Sequence, residues 1–275
     1  MRYWMMQLFL ASRDEGTLLE RLPPSQSREQ YLRGIFSREI RFEYYRHPYV
    51  FKPFVFPEVE QLAAVIAKES TVTVAGPPEE AFAAHQISDW ETANILLNPS
   101  PEIQQAAVQN AFGNPTAIFR KLIEHINDTN PSAPWVIAVN PVTIREQFWS
   151  AAERNRGHIA EIDLSFAVPN IWGGQSETEK ALREFKEQNN AQEVEVKIKN
   201  RDGRLQPDSQ RMRDAVDYVT RGGGTAQLRD ESQATVYSSD TEENAVTTAV
   251  EPDVPIQEAD IAAIRYLIKR LFGVG

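Results

Sequence analysis

The chain has 275 residues, 41% of them hydrophobic and 25% charged, with no cysteine and a formal net charge of −10. Such a balance suits one large globular domain or two of ordinary size and rules against a disordered chain. Without thiols there is no disulfide framework, thiolate zinc site or cysteine nucleophile, and the acidic average argues against a broadly basic coat for nucleic acid.

Residues 1–12 are apolar and interrupted by Gln7, too short a run for a signal peptide before Arg13, Asp14 and Glu15. They read as a strand, with Tyr3, Met5, Gln7 and Phe9 facing one way and Trp4, Met6, Leu8 and Leu10 the other. Two largely apolar rows imply a central strand covered on both faces. A helix is expected to start near Ser27, after the break at Pro23 and Pro24. Residues 39–56 alternate as a hairpin or two short strands, punctuated by Pro48 and Pro53. Residues 57–68 carry Val59, Leu62, Ala63, Ile66 and Ala67 at helical spacing behind Pro57, which predicts a helix. A short strand is expected over 71–75, closed by Gly76, Pro77 and Pro78.

Helices are predicted over 101–111 and 116–127, the second with a buried stripe of Ile118, Phe119, Leu122, Ile123 and Ile126. A turn at 130–134 precedes a strand over 135–139 and a helix over 141–154 that carries Ile144, Phe148 and Trp149 inward. Beyond His158 the order is β-α-β-α-β-β-β-α: strands over 159–168, 193–199, 225–230, 235–239 and 246–250, and helices over 176–189, 206–221 and 257–272. The fold class is α+β, mixed sheets with helices on one face. The expected division is 1–156 and 157–275, with the break near Asn155–Gly157; a single interwoven domain is the alternative. No apolar run is long enough to span a bilayer, and the missing cysteines fit a reducing, cytoplasmic compartment.

Two constellations bear on chemistry. Asp163 on one strand and Glu195 with Lys197 on another match the residue types of a PD-(D/E)xK nuclease, in which paired carboxylates hold Mg²⁺ and lysine stabilises charge on phosphate. Period two puts Glu195 and Lys197 on one face, as any half-buried strand would. Mg²⁺ is the cofactor only under that reading; otherwise none is expected. The second is cationic. Arg201, Arg204, Arg211 and Arg213 cluster around one turn and the next helix. Arg28, Arg33, Arg38, Arg41 and Arg46 interleave with Tyr31, Phe36, Phe42, Tyr44 and Tyr45. Cations on one face neutralise phosphates and exposed aromatics stack on bases; buried aromatics with a solvated arginine row would look the same.

Other signals are weaker. His47, His85, His125 and His158 are too scattered for a metal site, so none is expected. Gly222, Gly223 and Gly224 leave a helix and enter a strand, the reverse of a phosphate loop, which marks a helix end and turn. Ile171, Trp172, Gly173 and Gly174 follow a strand and lead to a helix, with no lysine at the position a phosphate loop needs.

The strand over 159–166, the helix, the strand over 194–199 and the closing pair over 225–230 and 235–239 resemble in layout the RexA-type phage-exclusion proteins. The likeness extends more loosely to accessory proteins of bacterial antiphage defence. It covers about the last 115 residues as an order of elements, without a position-specific motif. It implies DNA binding and self-association and assigns no residue a role. The expected function is therefore local nucleic-acid binding with self-association. A Mg²⁺-dependent nuclease is the first alternative. The second is a protein–protein assembly module, engaged through the C-terminal helix or the acidic stretch over 231–264.

Overall fold

A computed structural model describes residues 1–13, 26–167, 177–189, 191, 193–251 and 255–274. The strands of the larger sheet are β1 (Arg2–Ser12), β2 (Ile40–Tyr44), β3 (His47–Phe54), β4 (Leu62–Ala75), β5 (Ala84–Asn98), β6 (Gln105–Gln109) and β7 (Trp135–Pro141). The smaller sheet holds β8 (Ile159–Ala167), β9 (Glu193–Lys199), β10 (Gly224–Asp230) and β11 (Thr235–Ser238); β12 (Thr247–Ala249) returns to the larger one. The helices are α1 (Arg28–Phe36), α2 (Pro115–Thr129), α3 (Arg145–Arg154), α4 (Glu177–Asn189), α5 (Gln210–Tyr218) and α6 (Ile261–Phe272).

The larger sheet runs β12-β1-β6-β5-β4-β3-β2, and β7 pairs with the outer half of β1 beyond β12. β1 is central, as its two apolar rows require. Trp4, Met6, Leu8 and Leu10 pack with α1 and α2, where the α2 stripe Ile118, Phe119, Leu122, Ile123 and Ile126 is fully buried. Tyr3 and Met5 face the other way, against Ile264, Leu267, Ile268 and Leu271 of α6. Local signals fix the helix ends. Ser27 and Gln30 form a reciprocal capping box on α1, and Gly273 closes α6 at φ 68°.

Two predicted helices are strands. Residues 57–68 feed β4: Ala64 and Ile66 point to the α1/α2 layer while Ala63 and Val65 point to α6. A strand buried on both faces has an unbroken apolar run, which also satisfies helical spacing. Residues 101–111 hold β6 for the same reason, with Ala106 and Val108 on one face and Ala107 on the other. Their partner β5 was not anticipated, because its outer half is polar and exposed.

The smaller sheet has the order β11-β10-β8-β9, with Ile162, Leu164, Phe166, Ala226 and Leu228 packed with α3, α5 and Leu182 of α4. The fold is thus α+β, but every strand pair is antiparallel where mixed sheets were expected, and the larger sheet is covered on both faces. The expected C-terminal module also ends differently. β12 pairs with β1, Arg2 opposite Ala249 and Trp4 opposite Thr247, and α6 covers the second face of β1. The tail crosses the division at 156/157 because the second apolar row of β1 needs a cover, and the stripe of α6 supplies it. Among the described residues no helix is long and apolar enough to cross a membrane.

The two sheets meet at a seam. The wide, π-helical turn Val219–Gly223 continues α5 and packs on β1 and β7; Thr143 N donates to Thr220 O at 2.9 Å. Gly222 sits there at φ 87°, where an added Cβ would overlap Cβ of Gln7 and come within 3.3 Å of its Cγ. The glycine run is therefore a helix end and turn, as its direction in the sequence indicated.

Candidate functional site

The face of the smaller sheet opposite its helices carries a charged array. The register sets Thr225, Ser165 and Glu195 in one row, Gln227, Asp163 and Lys197 in the next, and Arg229, Glu161 and Lys199 in the third. Asp163, Glu195 and Lys197 thus share a face, as period two demanded. Lys197 stands directly opposite Asp163 and donates to Asp163 Oδ2 at 2.8 Å, while Glu195 lies one row away, opposite Ser165. The hydrogen bond to Asp163, with that carboxylate's charge, holds the Lys197 ammonium above its ordinary pKa.

Glu161, which the sequence did not single out, is the centre of this array. It is 2% exposed and is approached by Lys199 at 2.8 Å, Lys197 at 3.6 Å and Arg229 at 3.7 Å. The Lys199 hydrogen bond, backed by the three positive charges, lowers its pKa against the opposing pull of desolvation. Among the described residues no group of three or more His, Cys, Asp or Glu side chains is placed to hold a metal ion. Glu161 and Asp163 are matched by ammonium and guanidinium groups, while Glu195 stands in the next row, opposite Ser165.

A groove of about 1050 Å³ lies on the helical side, between the end of α3, the turn after β9 and the start of α5. Five arginines line it: Arg145, Arg154, Arg156, Arg204 and Arg213. Each is placed by a local cause. Phe148, Ala151 and Ala152 anchor α3 in the core, which turns Arg145 and Arg154 outward. Asn200 folds the turn after β9: its carbonyl accepts from Gly203 N at 3.0 Å and its side chain from Asp202 N at 2.9 Å. Leu205 N then donates to Ile159 O at 3.1 Å, which brings Arg204 beside the start of β8. Ser209 caps α5, accepting from Met212 N at 3.3 Å, and Arg213 follows within the first turn or so of the helix.

Charge within the groove is uneven. Arg145 is bound to Asp217 at 2.6 Å and Arg156 to Glu153 at 2.6 Å. Arg154, Arg204 and Arg213 are exposed and pair with no carboxylate among the described residues, and Asp208 is the acidic group left on the wall. The indole of Trp149, edge-on to Phe148 at 5.0 Å, adds an aromatic surface. Ile159 and Leu205 give the wall apolar character.

Of the predicted nucleic-acid residues, the structure puts Arg204 in the groove, together with Arg213. Arg201 lies on the adjoining turn and Arg211 on the exposed side of α5, neither of them on the groove wall. The other group lies apart, on α1 and the β2–β3 hairpin. There Arg33 pairs with Glu29 at 2.7 Å and Arg41 with Glu39 at 2.8 Å, and Arg38 is exposed. Arg28 lies over the Trp135 ring at 5.0 Å, with its pKa lowered by burial. Tyr31, Phe36 and Phe42 are core residues; of the interleaved aromatics Tyr45 is the exposed one, at 80%, with its ring 4.4 Å from that of Tyr44. Arg145, Arg154 and Arg156 were missed. The signal available was their position at the two ends of a helix whose inward residues were already recognised. The run 171–174 lies outside the described residues. Comparison with family models, curated proteins and solved structures returns no match.

Proposed function

We propose that the arginine groove binds the phosphate backbone of a nucleic acid, which makes the protein a local nucleic-acid binder on an otherwise acidic surface. The observation that carries this reading is the convergence on one concavity of Arg154, Arg204 and Arg213, which have no carboxylate partner among the described residues. Cations converging from separate elements are what phosphate neutralisation uses, since each contact releases counterions. Trp149 offers a surface on which a base stacks. Backbone contacts of this kind position a strand without reading its sequence, so the expected preference is for charge and strandedness. The RexA-type resemblance points to the same class of ligand.

The test is fluorescence anisotropy of labelled single- and double-stranded DNA and RNA with the full chain at two salt concentrations. Replacement of Arg204 and Arg213 by alanine together should weaken binding and reduce the salt slope by about 0.7–0.9 for each phosphate no longer neutralised. Arg41→Ala, already paired with Glu39 on the other sheet, should leave both unchanged. Absence of binding at low salt refutes the reading.

A further inference from the structure

The larger sheet does not end flush. β4 pairs with β3 only from Ala63 to Lys68, and β5 pairs with β6 only from Ile95 to Asn98. The β4–β5 ladder runs on alone for seven more pairs, from Glu69 opposite Trp90 to Ala75 opposite Ala84. At about 3.3 Å per residue this two-stranded arm reaches about 23 Å beyond the sheet. Residues 71–75 and 84–92 are exposed, and no other element is paired to either edge among the described residues. Its tip is nonetheless ordered by hydrogen bonds. Gly76 N donates to Ala83 O at 2.8 Å, Glu80 N to Pro77 O at 3.0 Å, and His85 Nε2 lies 2.6 Å from Glu80 Oε2.

An isolated two-stranded ribbon is at best marginal in water, and this one shows apolar surface. Val72 stands opposite Ile87 on one face, with Ile87 47% and Phe82 at the tip 65% exposed. Its two edges differ. On β5, His85, Asp89 and Glu91 place charges of the kind that guard an edge strand against pairing. The β4 strand from Thr71 to Ala75 reads Thr-Val-Thr-Val-Ala, with four β-branched residues, no charge and no proline. Alternate residues of that edge direct N–H and C=O groups outward, with no strand paired to them among the described residues.

We propose that the β4 edge of the arm pairs antiparallel with the same edge of a second copy of this chain, about a two-fold axis, forming a four-stranded sheet between the molecules. The strand is complementary to itself. Antiparallel pairing sets β-branched side chains against one another and opposes no like charges across the centre. An isologous contact consumes the open edge of both copies, and the guarded β5 edges lie on the outside, so assembly closes at the dimer. A contact of one short strand per partner belongs with the small, weak interfaces, and the expected dissociation constant is about 1–100 µM. The dimer does not depend on the groove or its ligand.

Sedimentation velocity of the full chain over a concentration series spanning that range tests the proposal. Wild type should show a reversible monomer–dimer equilibrium. Thr73→Lys and Thr73→Glu, each at an exposed site outside all three cores, should each weaken the dimer more than tenfold. An equimolar mixture of the two should recover a heterodimer within tenfold of wild-type affinity. Ser88→Lys, on β5 and the same face of the arm, should leave the equilibrium unchanged. Circular dichroism verifies that the variants are folded. A monomeric wild type across the series, a dimer insensitive to Thr73→Lys, an unrecovered mixture, or equal loss with Ser88→Lys overturns it.

Discussion

Gly222 joins the two sheets, and its replacement by alanine measures how tightly. Two separable costs arise. The residue sits at φ 87°, which an L side chain adopts at about 1–2 kcal/mol. The new methyl would also overlap Cβ of Gln7 and lie 3.5 Å from Cγ2 of Val142, and forcing extra volume into a packed position costs about 1–3 kcal/mol. Together these give about 2–5 kcal/mol, a large share of the 5–15 kcal/mol that separates a typical folded chain from its unfolded state. Gly157 is the control, since it has φ 83° but nothing within 4 Å of an added Cβ. Gly157→Ala should therefore show the conformational cost alone. By differential scanning calorimetry the two variants should lose roughly 4–20 °C and 2–8 °C respectively, at about 2–4 °C per kcal/mol for domains of this size, with Gly222→Ala the larger loss. Equal losses would refute the steric argument, and an unchanged Gly222→Ala would mean that the seam yields freely.

The buried carboxylate of the charged array has a defined pH signature. The folded-state pKa of Glu161 lies below its ordinary 4.5, chiefly through the Lys199 hydrogen bond. Its ionisation therefore stabilises the fold above the unfolded-state value, and that stabilisation is lost as pH falls through the lower folded-state value. Urea midpoints of wild type and Glu161→Gln should differ at pH 6 and converge toward pH 3; a gap that stays constant contradicts the assignment. Phe148, fully buried and edge-on to Trp149 at 5.0 Å and Tyr237 at 5.2 Å, holds α3 in place behind the groove. Phe148→Ala should cost about 3–5 kcal/mol in chemical denaturation, and a loss below about 1 kcal/mol would show that α3 does not depend on it.

Much of the local structure was legible because a single period or cap determined it. The α2 stripe, the Ser27 start of α1, the Gly273 end of α6 and the alternation of β8 and β9 are set by neighbours a few residues apart. The failures share one cause. In β4 and β6 short apolar side chains serve both faces at once, so the period of two vanishes from the sequence. In the outer part of β5 neither face is buried, so no period forms.

The candidate site divides the same way. Arg204 and Arg213 could be named from composition, yet their meeting with Arg154 depends on the Leu205–Ile159 hydrogen bond and on how Phe148 seats α3. The pairing of Arg33 with Glu29 and of Arg41 with Glu39 is local, between residues four and two apart.

The sequence by itself determined the α+β class, the two-faced character of β1 and the last residues of α3 and α6, because these follow from contacts along the chain; the expected starts of α3, α5 and α6 each lay four residues too early. Tertiary structure alone decided that β12 and α6 return to the first sheet, that the β4–β5 ladder outruns its neighbours, and which arginines converge on the groove. An apolar face must be covered and a charge matched, but which distant segment does either is set by the packing of the whole chain.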